Sequence, residues 1–362
     1  MMDSNNSKRI LLVTSDRNEW LDGASDEEHV KRAPYSVGAI LFNLSKMGWT
    51  TSRAGLKTSR SLRKLAARID TFKPTIIYTY GSTVALNPIF CRRFLCSWKG
   101  FKVVHGWDDA YGDIWDDLFG WPGRVLMNIV ERWIVKKSDA VITLSRFLQQ
   151  RGAKWGVTCE YIPNGADPVD RLKISDGKIK LTGRINLVYT GDQARWKRTA
   201  DICEAMRHVP PNIKLYLTGQ IYPYLKKYAS ENCIFLGFVS KEEQLSVMKQ
   251  ADIFICTADQ DCNAKIQEYL RWERPYLGYD GRANLFFNNG ENAVLCKPND
   301  YPSAILRLAD DSSLRFRLAA NAKRDIHVFA WMEIAKLFDA AFRLFAQQPI
   351  CKGVGTCVTA EN

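Results

Sequence analysis

The sequence lacks an apolar run of roughly 18 residues or more, so no conventional membrane-spanning helix is expected. It also lacks a signal-peptide pattern. The N-terminal stretch MMDSNNSKRILLVTSD contains only a short apolar run, which is typical of a buried strand. These absences predict a cytosolic protein.

Cysteine is present, but never at the spacing of a metal or redox motif. The chain has ten cysteines and no Cys-x-x-Cys pair, so neither a zinc site nor a dense disulfide framework is expected. Several lie in strand-like runs, such as Cys256 in ADIFICTAD, and are predicted to be small core residues. Free thiols fit a reducing compartment.

Histidine is scarce, and acidic residues are outnumbered by basic ones. There are four histidines, and 51 Lys and Arg against 39 Asp and Glu give a net charge of +12. Such an excess favours anionic partners, namely nucleic acid, acidic lipid headgroups or phosphorylated substrates, without choosing among them. A chain of 362 residues, 46% hydrophobic and 25% charged, has the size and balance of a two-domain globular protein.

Short apolar runs alternate with helical patterns along most of the chain. This alternation predicts an α/β fold with doubly wound parallel sheets and helices on both faces. The predicted strands are 9–15, 75–81, 101–107, 139–145, 159–165, 185–191, 214–220, 233–238, 251–258, 275–280 and 292–297. The predicted helices are 36–48, 59–72, 124–139, 197–209, 241–252, 263–272 and 329–346.

The series of strands restarts after a polar stretch, which predicts two Rossmann-like domains joined by a linker. The expected divisions are a first domain at 1–168, a linker at 169–184, a second domain at 185–328, a helix at 329–346 and a loose tail at 347–362. Two such domains place a cleft between the carboxyl ends of their sheets, where ligands bind.

Polar side chains follow the short run KVV within the strand predicted at 101–107. His105 is expected at the end of that strand, where it could orient or polarise a substrate hydroxyl or merely fix a loop. We favour the functional role. Asp108 and Asp109 could bind acceptor hydroxyls, although capping of the next segment is the favoured role.

The second domain opens with a glycine and three cations, in YTGDQARWKRTAD. Arg195, Lys197 and Arg198 precede a helix, and cations beside the backbone amides of a helix start suit a diphosphate. Gly219 ends another predicted strand, where it either serves a turn or lets backbone approach a ligand. The turn PNGAD at 163–167 is expected to be a structural corner.

Lys265 and Glu268 lie three residues apart on the helix predicted at 263–272, which Asn263 can cap. Two interpretations remain open for them. They form a surface ion pair of little energetic value, or the carboxylate of Glu268 accepts the two ribose hydroxyls of a nucleotide.

The stretch 52–70 is strongly basic and has an apolar stripe at helical spacing. A solvated outer helix is the favoured interpretation, and docking on anionic lipid, with the aromatic and basic segment 90–101 beside it, is the alternative.

The order of several segments resembles the retaining GT-B glycosyltransferases of family 4. SDAVITLSRFLQQRG with YIPNGAD, LVYTGDQARWK, IFLGFVSKEEQLSVMKQADIFICTA, KIQEYLRWERPYLGYD and FAWMEIAKLF carry the resemblance. It implies two Rossmann-like domains facing a cleft, and a closing helix that crosses back to the first domain.

The resemblance also implies roles for individual residues. His105 matches the histidine near the donor sugar and acceptor, and Lys197 matches the lysine that holds the donor diphosphate, with Arg195 assisting. Glu268 matches the second of two glutamates, the one that usually holds the ribose. Gly38 is what remains of the glycine-rich first loop, where a helix start can approach a phosphate.

Two departures from the family pattern concern the donor. Asp192 stands where the family has arginine, and Gln260 stands where it has its first glutamate, flanked by Asp259 and Asp261. The candidate donor-sugar residues are Gln260, Asp261, Asn263 and Lys265.

The implied activity is transfer of a sugar, with retention, from a UDP- or GDP-linked donor to a glycan or lipid-linked acceptor. No cofactor, metal or nucleic-acid partner is expected. An anionic membrane surface is a further candidate partner. The alternatives are a GT-B nucleotide-sugar epimerase and a non-catalytic basic protein that binds nucleic acid or other anions.

Overall fold

The computed structural model describes residues 8–14, 35–81, 84–166, 169, 174, 176–323 and 326–348. Most of the predicted tail, part of the predicted linker and the start of the altered first loop lie outside these ranges. Within them, no helix combines the length and the apolar character needed to cross a bilayer.

The first domain is built on a six-stranded parallel sheet. Its strands are β1 (Arg9–Thr14), β2 (Thr50–Ala54), β3 (Ile76–Tyr80), β4 (Lys102–Trp107), β5 (Ala140–Thr143) and β6 (Glu160–Tyr161). They run in the order β2-β1-β3-β4-β5-β6. The direction of the connections therefore reverses between β1 and β3, and a doubly wound sheet forms its ligand crevice at such a reversal.

The helices of the first domain cover both faces of this sheet. They are α1 (Tyr35–Lys46), the single turn α2 (Leu56–Ser59), α3 (Leu62–Phe72), α4 (Leu86–Phe94), α5 (Tyr111–Lys137) and α6 (Arg146–Lys154). The apolar stripe of α3, made of Leu65, Ala66 and Ile69, is buried against β1, β3 and β4. Its cations lie on the outer side, as the favoured interpretation of stretch 52–70 requires.

The second domain repeats this design with a different strand order. Its strands are β7 (Ile185–Tyr189), β8 (Ile213–Thr218), β9 (Cys233–Gly237), β10 (Ile253–Cys256), β11 (Tyr276–Tyr279) and β12 (Val294–Cys296). The order β12-β11-β10-β7-β8-β9 places the reversal between β7 and β10. The helices are α7 (Thr199–Ala205), α8 (Lys241–Lys249), α9 (Ala264–Leu270), α10 (Tyr301–Asp310) and α11 (Ser312–Lys323).

The last described helix, α12 (Trp331–Gln347), packs on the first domain although it follows the second in sequence. Phe342 meets the rings of Trp49 and Tyr78 edge-on at centroid distances of 6.0 and 5.5 Å, and Phe338 meets Tyr78 at 5.7 Å. Aromatic pairs at these distances add to the stabilisation that burial provides. The chain thus crosses between the domains twice.

The cysteines serve as core residues, as the sequence predicts. Of the eight described ones, all are free, and all but Cys296 are buried. Burial raises the pKa of Cys159 and of Cys96 to about 12, so neither thiol forms the reactive thiolate near neutral pH.

Candidate active site

The candidate site lies where the loops after β7 and β10 meet the loop after β4 of the first domain. Strand order reverses between β7 and β10, so the chain leaves these two strands in opposite directions and opens a crevice between them. Thr257, just after β10, donates its hydroxyl to the carbonyl of Lys197 at 2.8 Å, which ties the two loops together.

A chain of side-chain hydrogen bonds crosses the cleft through Gln260. Its Oε1 accepts from Lys197 Nζ at 3.0 Å, and its Nε2 donates to Asp109 Oδ1 at 2.8 Å. Asn263 Nδ2 lies 3.4 Å from the same Oε1. An amide suits this position because it accepts on one side and donates on the other. Gln260 thus joins a cation of the second domain to a carboxylate of the first.

Asp108 and Asp109 form an acidic pair at the end of β4. Burial and the neighbouring charge of Asp109 raise the pKa of Asp108 to about 7, partly offset by the hydroxyl of Tyr111, which donates to Asp108 Oδ1 at 3.0 Å. Burial also raises the pKa of Asp109, while Lys197 and Gln260 oppose that rise. The pair can therefore hold a proton near neutral pH.

Lys265 is a buried cation at the base of the crevice. Its Nζ lies 3.7 Å from the centre of the Tyr189 ring and has no hydrogen-bond partner among the described residues. A Cβ placed on Gly191 would stand 3.2 Å from Lys265 Cε. Burial lowers the pKa of Lys265 to about 7. The ammonium is thus held directly under the glycine loop that follows β7.

Glu268 does not form an ion pair with Lys265, contrary to the first interpretation of that spacing. Its Oε1 lies 3.5 Å from Lys241 Nζ, at the start of α8. Lys241 is one turn from Gln244, which lines a cavity beside β7, β8 and β9. The carboxylate is therefore near one end of this cavity, and its role in ribose binding stays a prediction.

His105 lies inside β4 and not at its end, which corrects the prediction from sequence. Strand β4 continues through Gly106 to Trp107, so the strand end carries Asp108 and Asp109 instead. His105 is 1% exposed, and its Nδ1 lies 3.1 Å from Thr79 Oγ1 of the neighbouring strand β3. Burial lowers its pKa to about 3, so the ring is neutral at physiological pH.

The three cations after β7 diverge and do not form one cluster. The Arg195 guanidinium lies 4.7 Å from the centre of the Tyr224 ring, and Arg198 Nε bonds Asp201 Oδ2 at 3.0 Å. Lys197 is the one of the three whose side chain reaches Gln260 in the cleft. The sequence pattern identified the corner, but the structure separates its cations.

Gly219 is required by close backbone contact. Its φ is +110°, and a Cβ there would lie 2.2 Å from the carbonyl oxygen of Gly191. The ends of β7 and β8 can approach one another because both residues are glycines. Both line a cavity of about 510 Å³, with Asp192, Tyr222, Phe238 and Gln244 among its other residues.

Two predicted donor-sugar residues have structural contacts. Asp261 is 3% exposed and accepts from Ser145 Oγ at 2.5 Å and from the Phe147 amide at 3.0 Å, both at the start of α6. Asn263 caps α9 by accepting from the amide of Lys265 at 3.2 Å, as predicted. Asp261 therefore joins the second domain to the first.

The turn PNGAD forms part of the same junction. Asn164 Nδ2 donates to the carbonyl of Cys262 at 2.9 Å. A Cβ on Gly165 would stand 2.6 Å from the Trp331 ring, so only glycine lets the start of α12 pack against this turn. The structural interpretation of this turn therefore accounts for Asn164 and Gly165.

A smaller chamber of about 220 Å³ opens beside Gln260 and the start of α5. Arg282 Nη1 forms an ion pair with Asp113 Oδ2 across the domains at 2.6 Å, and Arg282 Nε lies 3.9 Å from Asp259 Oδ2. The remaining lining residues include Asp116, Arg124 and Trp196. Arg282, Asp113 and Trp196 were not predicted as site residues, because neither strand ends nor spacing mark them.

Gly38 is buried in the first turns of α1, and the residues that precede this helix lie outside the described part of the chain. Across the described residues, no group of three or more His, Cys, Asp or Glu side chains converges as a metal centre would need.

The fold and the crevice define the protein as GT-B in architecture. A sucrose-phosphate synthase from Thermosynechococcus elongatus superposes with a TM-score of 0.73 at 17% identity, covering 94% of this chain and 100% of that one. HepE from Anabaena in complex with UDP gives a TM-score of 0.64 at 17% identity, covering 93% and 100%. HepE has also been solved with UDP-glucose.

Sequence comparison gives a more specific relation. Residues 23–170 match the model of Glycosyltransferase Family 4. An uncharacterized glycosyltransferase of Methanocaldococcus jannaschii, MJ1069, is 24% identical over 287 residues, which cover 73% of this chain and 72% of that protein. Together these matches support a glycosyltransferase function.

Proposed function

We propose that the protein transfers a sugar from a nucleotide-sugar donor to a glycan or lipid-linked acceptor. The donor binds mainly to the second domain, and the acceptor approaches from the first. The observation that carries this proposal is the pair of cations at the crevice between β7 and β10, with Lys197 in the loop after β7 and Lys265 at the base. A diphosphate needs such charge beside backbone amides.

The nucleoside occupies the cavity of about 510 Å³ lined by Gly191, Gly219 and Gln244. Its volume falls in the range of small-molecule sites. Glu268 accepts the ribose hydroxyls, a role in which its present partner Lys241 competes with the ligand. HepE, solved with UDP and with UDP-glucose, supports a uridine donor.

The chemistry requires that negative charge on the departing diphosphate be stabilised. Lys197 and Lys265 supply positive charge in a partly desolvated site, where such stabilisation is strongest. Lys265 also supplies a positive charge in place of the arginine that family 4 has at the position of Asp192. Two lysines in this position let the reaction proceed without a bound metal, and retention of configuration follows from the resemblance to family 4.

Asp108 and Asp109 face the acceptor side of the cleft. Asp108, whose pKa is raised to about 7, can take up or return a proton at an acceptor hydroxyl near neutral pH. Asp109 holds Gln260 and thereby positions Lys197. His105, neutral and bonded to Thr79, packs inside the strand that leads to this loop.

Thermal shift with UDP-, GDP- and ADP-glucose tests donor binding. We expect one nucleotide to raise the melting temperature, and Glu268→Ala to abolish that shift with the fold intact. No shift with any nucleotide would reject the enzyme. A shift accompanied by epimerisation without transfer would favour the epimerase, and steeply salt-dependent binding of nucleic acid would favour the non-catalytic protein.

The affinity for UDP-glucose should fall as pH rises above about 7. Burial lowers the pKa of Lys265 to about 7, so its ammonium is present below this pH and lost above it. Because the charged form meets the diphosphate, we expect about a tenfold loss of affinity between about pH 7 and 8.5. Calorimetry should detect proton uptake on binding at about pH 8.

Lys265→Met removes the titrating group and should remove both the pH dependence and the proton uptake. Lys249→Met, at an exposed lysine on α8 paired with Asp176, is the matched control and should bind as the unchanged protein does. A pH dependence that persists in Lys265→Met would contradict the assignment.

A further inference from the structure

Helix α5 exposes an unusual amount of apolar surface. Seven of its large apolar side chains are between 48% and 73% exposed, with Trp121 the most open at 73%. We call this set the α5 ridge, and its members are Leu118, Phe119, Trp121, Val125, Leu126, Ile129 and Trp133. Contiguous exposed apolar surface marks an interaction site more often than single exposed residues do.

A fixed kink shapes the ridge. Gly120 has φ 68° and ψ −168°, and Pro122 follows, so the two halves of α5 meet at an angle. A Cβ on Gly123 would stand 2.7 Å from Phe119 Cβ and 2.9 Å from the Trp115 carbonyl, so the halves pack tightly there. The kink presents Phe119 and Trp121 at the turn between them.

The exposed charge beside the second half of the ridge is positive, while the exposed Asp117 lies just before its first member, Leu118. Arg132, Lys136 and Lys137 are exposed on the second half of α5. The one acid between residues 118 and 137 is Glu131, which is buried and accepts from Trp107 Nε1 at 2.9 Å and from the Tyr111 amide at 3.0 Å. Arg124 is compensated by Asp116 at 3.4 Å and Asp113 at 3.9 Å.

A neighbouring depression adds two more cations. A cavity of about 540 Å³ between α5 and α6 is lined by Val125, Ile129 and Trp155 together with Arg132, Arg151 and Lys154. Arg151 Nη1 lies 3.6 Å from Glu131 Oε2, so its charge is partly balanced, while Lys154 is exposed. The depression can thus receive an anionic group beside apolar surface.

We propose that the α5 ridge docks on an anionic lipid bilayer. Tryptophan and phenylalanine beside arginine and lysine are the side chains that the interfacial region of a bilayer accommodates. A second copy of this chain fits less well, because it carries the same net charge of +12 and would be repelled, whereas anionic headgroups are attracted. The net charge of +12 adds attraction at longer range.

The helices that neighbour α5 on the first sheet also support docking through this face. Val103 packs with α3 and α4, and Trp107, on the same face of β4, packs with α5 and α6. These four helices therefore cover one face of the first sheet. The apolar stripe of α3 is buried, so α3 contributes cations while α5 contributes the inserting side chains.

Docking through α5 also positions the cleft. The first residues of α5, Tyr111 and Asp113, reach Asp108 and Arg282 in the cleft. A bilayer on the ridge would therefore place lipid headgroups near the acceptor side. This last consequence rests on the proposed function, whereas docking itself does not.

Vesicle co-sedimentation tests the proposal with the full chain. We expect binding to phosphatidylcholine vesicles that contain about 30 mol% phosphatidylglycerol, weaker binding to pure phosphatidylcholine, and loss of binding at high salt. Phe119→Ser with Trp121→Ser should weaken binding to the anionic vesicles at least about tenfold. Arg132→Glu with Lys136→Glu should weaken it by a similar factor.

Matched controls lie in the second domain. Phe316 is 77% exposed on α11, and Phe316→Ser should leave vesicle binding unchanged. Lys226→Glu with Lys249→Glu reverses the same number of exposed charges away from α5 and should have a smaller effect than the α5 pair. Unchanged melting and UDP-glucose binding in the α5 variants would show that fold and donor site are intact.

Three results would overturn the proposal. Equal binding by the Phe119/Trp121 variant and the unchanged protein would show that the ridge does not insert. Equal losses from the two charge-reversal pairs would show that only net charge acts. A dimeric mass in light scattering that the ridge variants convert to a monomer would identify a second copy as the occupant. None of these results depends on donor binding or transfer.

Discussion

Gln260 differs from a glutamate by one amide group, and that group has two partners. Its nitrogen donates to Asp109 and its oxygen accepts from Lys197. A carboxylate here would face the carboxylate of Asp109 at hydrogen-bond distance, and the two would repel unless they shared a proton. The departure from the family pattern is thus matched by an acid on the opposite domain. The presence of Asp109 therefore explains why an amide, and not a carboxylate, stands at position 260.

Gln260→Glu should destabilise the closed arrangement by about 1–3 kcal/mol, because it replaces a hydrogen bond with like-charge repulsion. Repulsion raises the pKa of the acidic pair, so the penalty is present above that raised pKa and disappears as pH falls through it. Melting temperature against pH measures this. Asp109→Asn in the Gln260→Glu background should restore most of the loss, because amide and acid are then exchanged. A double variant no better than Gln260→Glu would contradict the contact.

Sequence alone could identify several site residues but not their partners. Lys197, Gln260 and Asp109 were each singled out, two from the resemblance and one from a strand end. Their connection spans a separation of 151 residues between Asp109 and Gln260, which no local pattern encodes. His105 was misplaced because the expectation put the strand end directly after KVV, whereas β4, like the predicted run 101–107, continues to Trp107.

At the level of elements, apolar runs predicted the strands well where both faces are buried. All the strands so predicted are present, some of them shorter than expected. Strand β2 was missed because its residues, TTSRA, are mostly polar and it lies at the edge of the sheet. Helix α5 was predicted from residue 124 onward because Gly120 and Pro122 normally end a helix, whereas here they mark a kink within it.

The contact between the ends of β7 and β8 supports a prediction at this scale. Gly219→Ala should destabilise the second domain by about 2–4 kcal/mol, because the new Cβ overlaps the Gly191 carbonyl at a positive φ. Gly290→Ala is the control. Gly290 has φ +81° with nothing within 4 Å, so only the backbone penalty of roughly 1 kcal/mol applies. Thermal unfolding measures both, and equal losses would contradict the overlap.

At the level of the whole molecule, the sequence predicted two α/β domains and a cleft, and the structure has two parallel six-stranded sheets. The different strand orders of the two sheets could not be predicted, because the pattern of apolar runs is the same for both. The contacts that hold the domains together were not predicted either. They involve single polar residues, such as Asp261 and Arg282, that carry no periodic signal.

Asp261→Ala should loosen the domains from one another. The change removes the acceptors for Ser145 Oγ and the Phe147 amide, so we expect a larger radius of gyration in small-angle X-ray scattering and separate melting of the two domains. Asp310→Ala removes an exposed carboxylate that pairs with Arg184 and should change neither. An unchanged radius in Asp261→Ala would show that other contacts suffice.

The return of α12 to the first domain has a consequence for the order in which the molecule is made. Residues that complete the first hydrophobic core, including Phe338 and Phe342, are synthesised after the whole second domain. On the ribosome, the second domain can therefore finish folding while Tyr78 and Trp49 still lack their partners. Premature termination before residue 331 would leave an apolar surface on the first domain, a form that chaperones and proteases recognise.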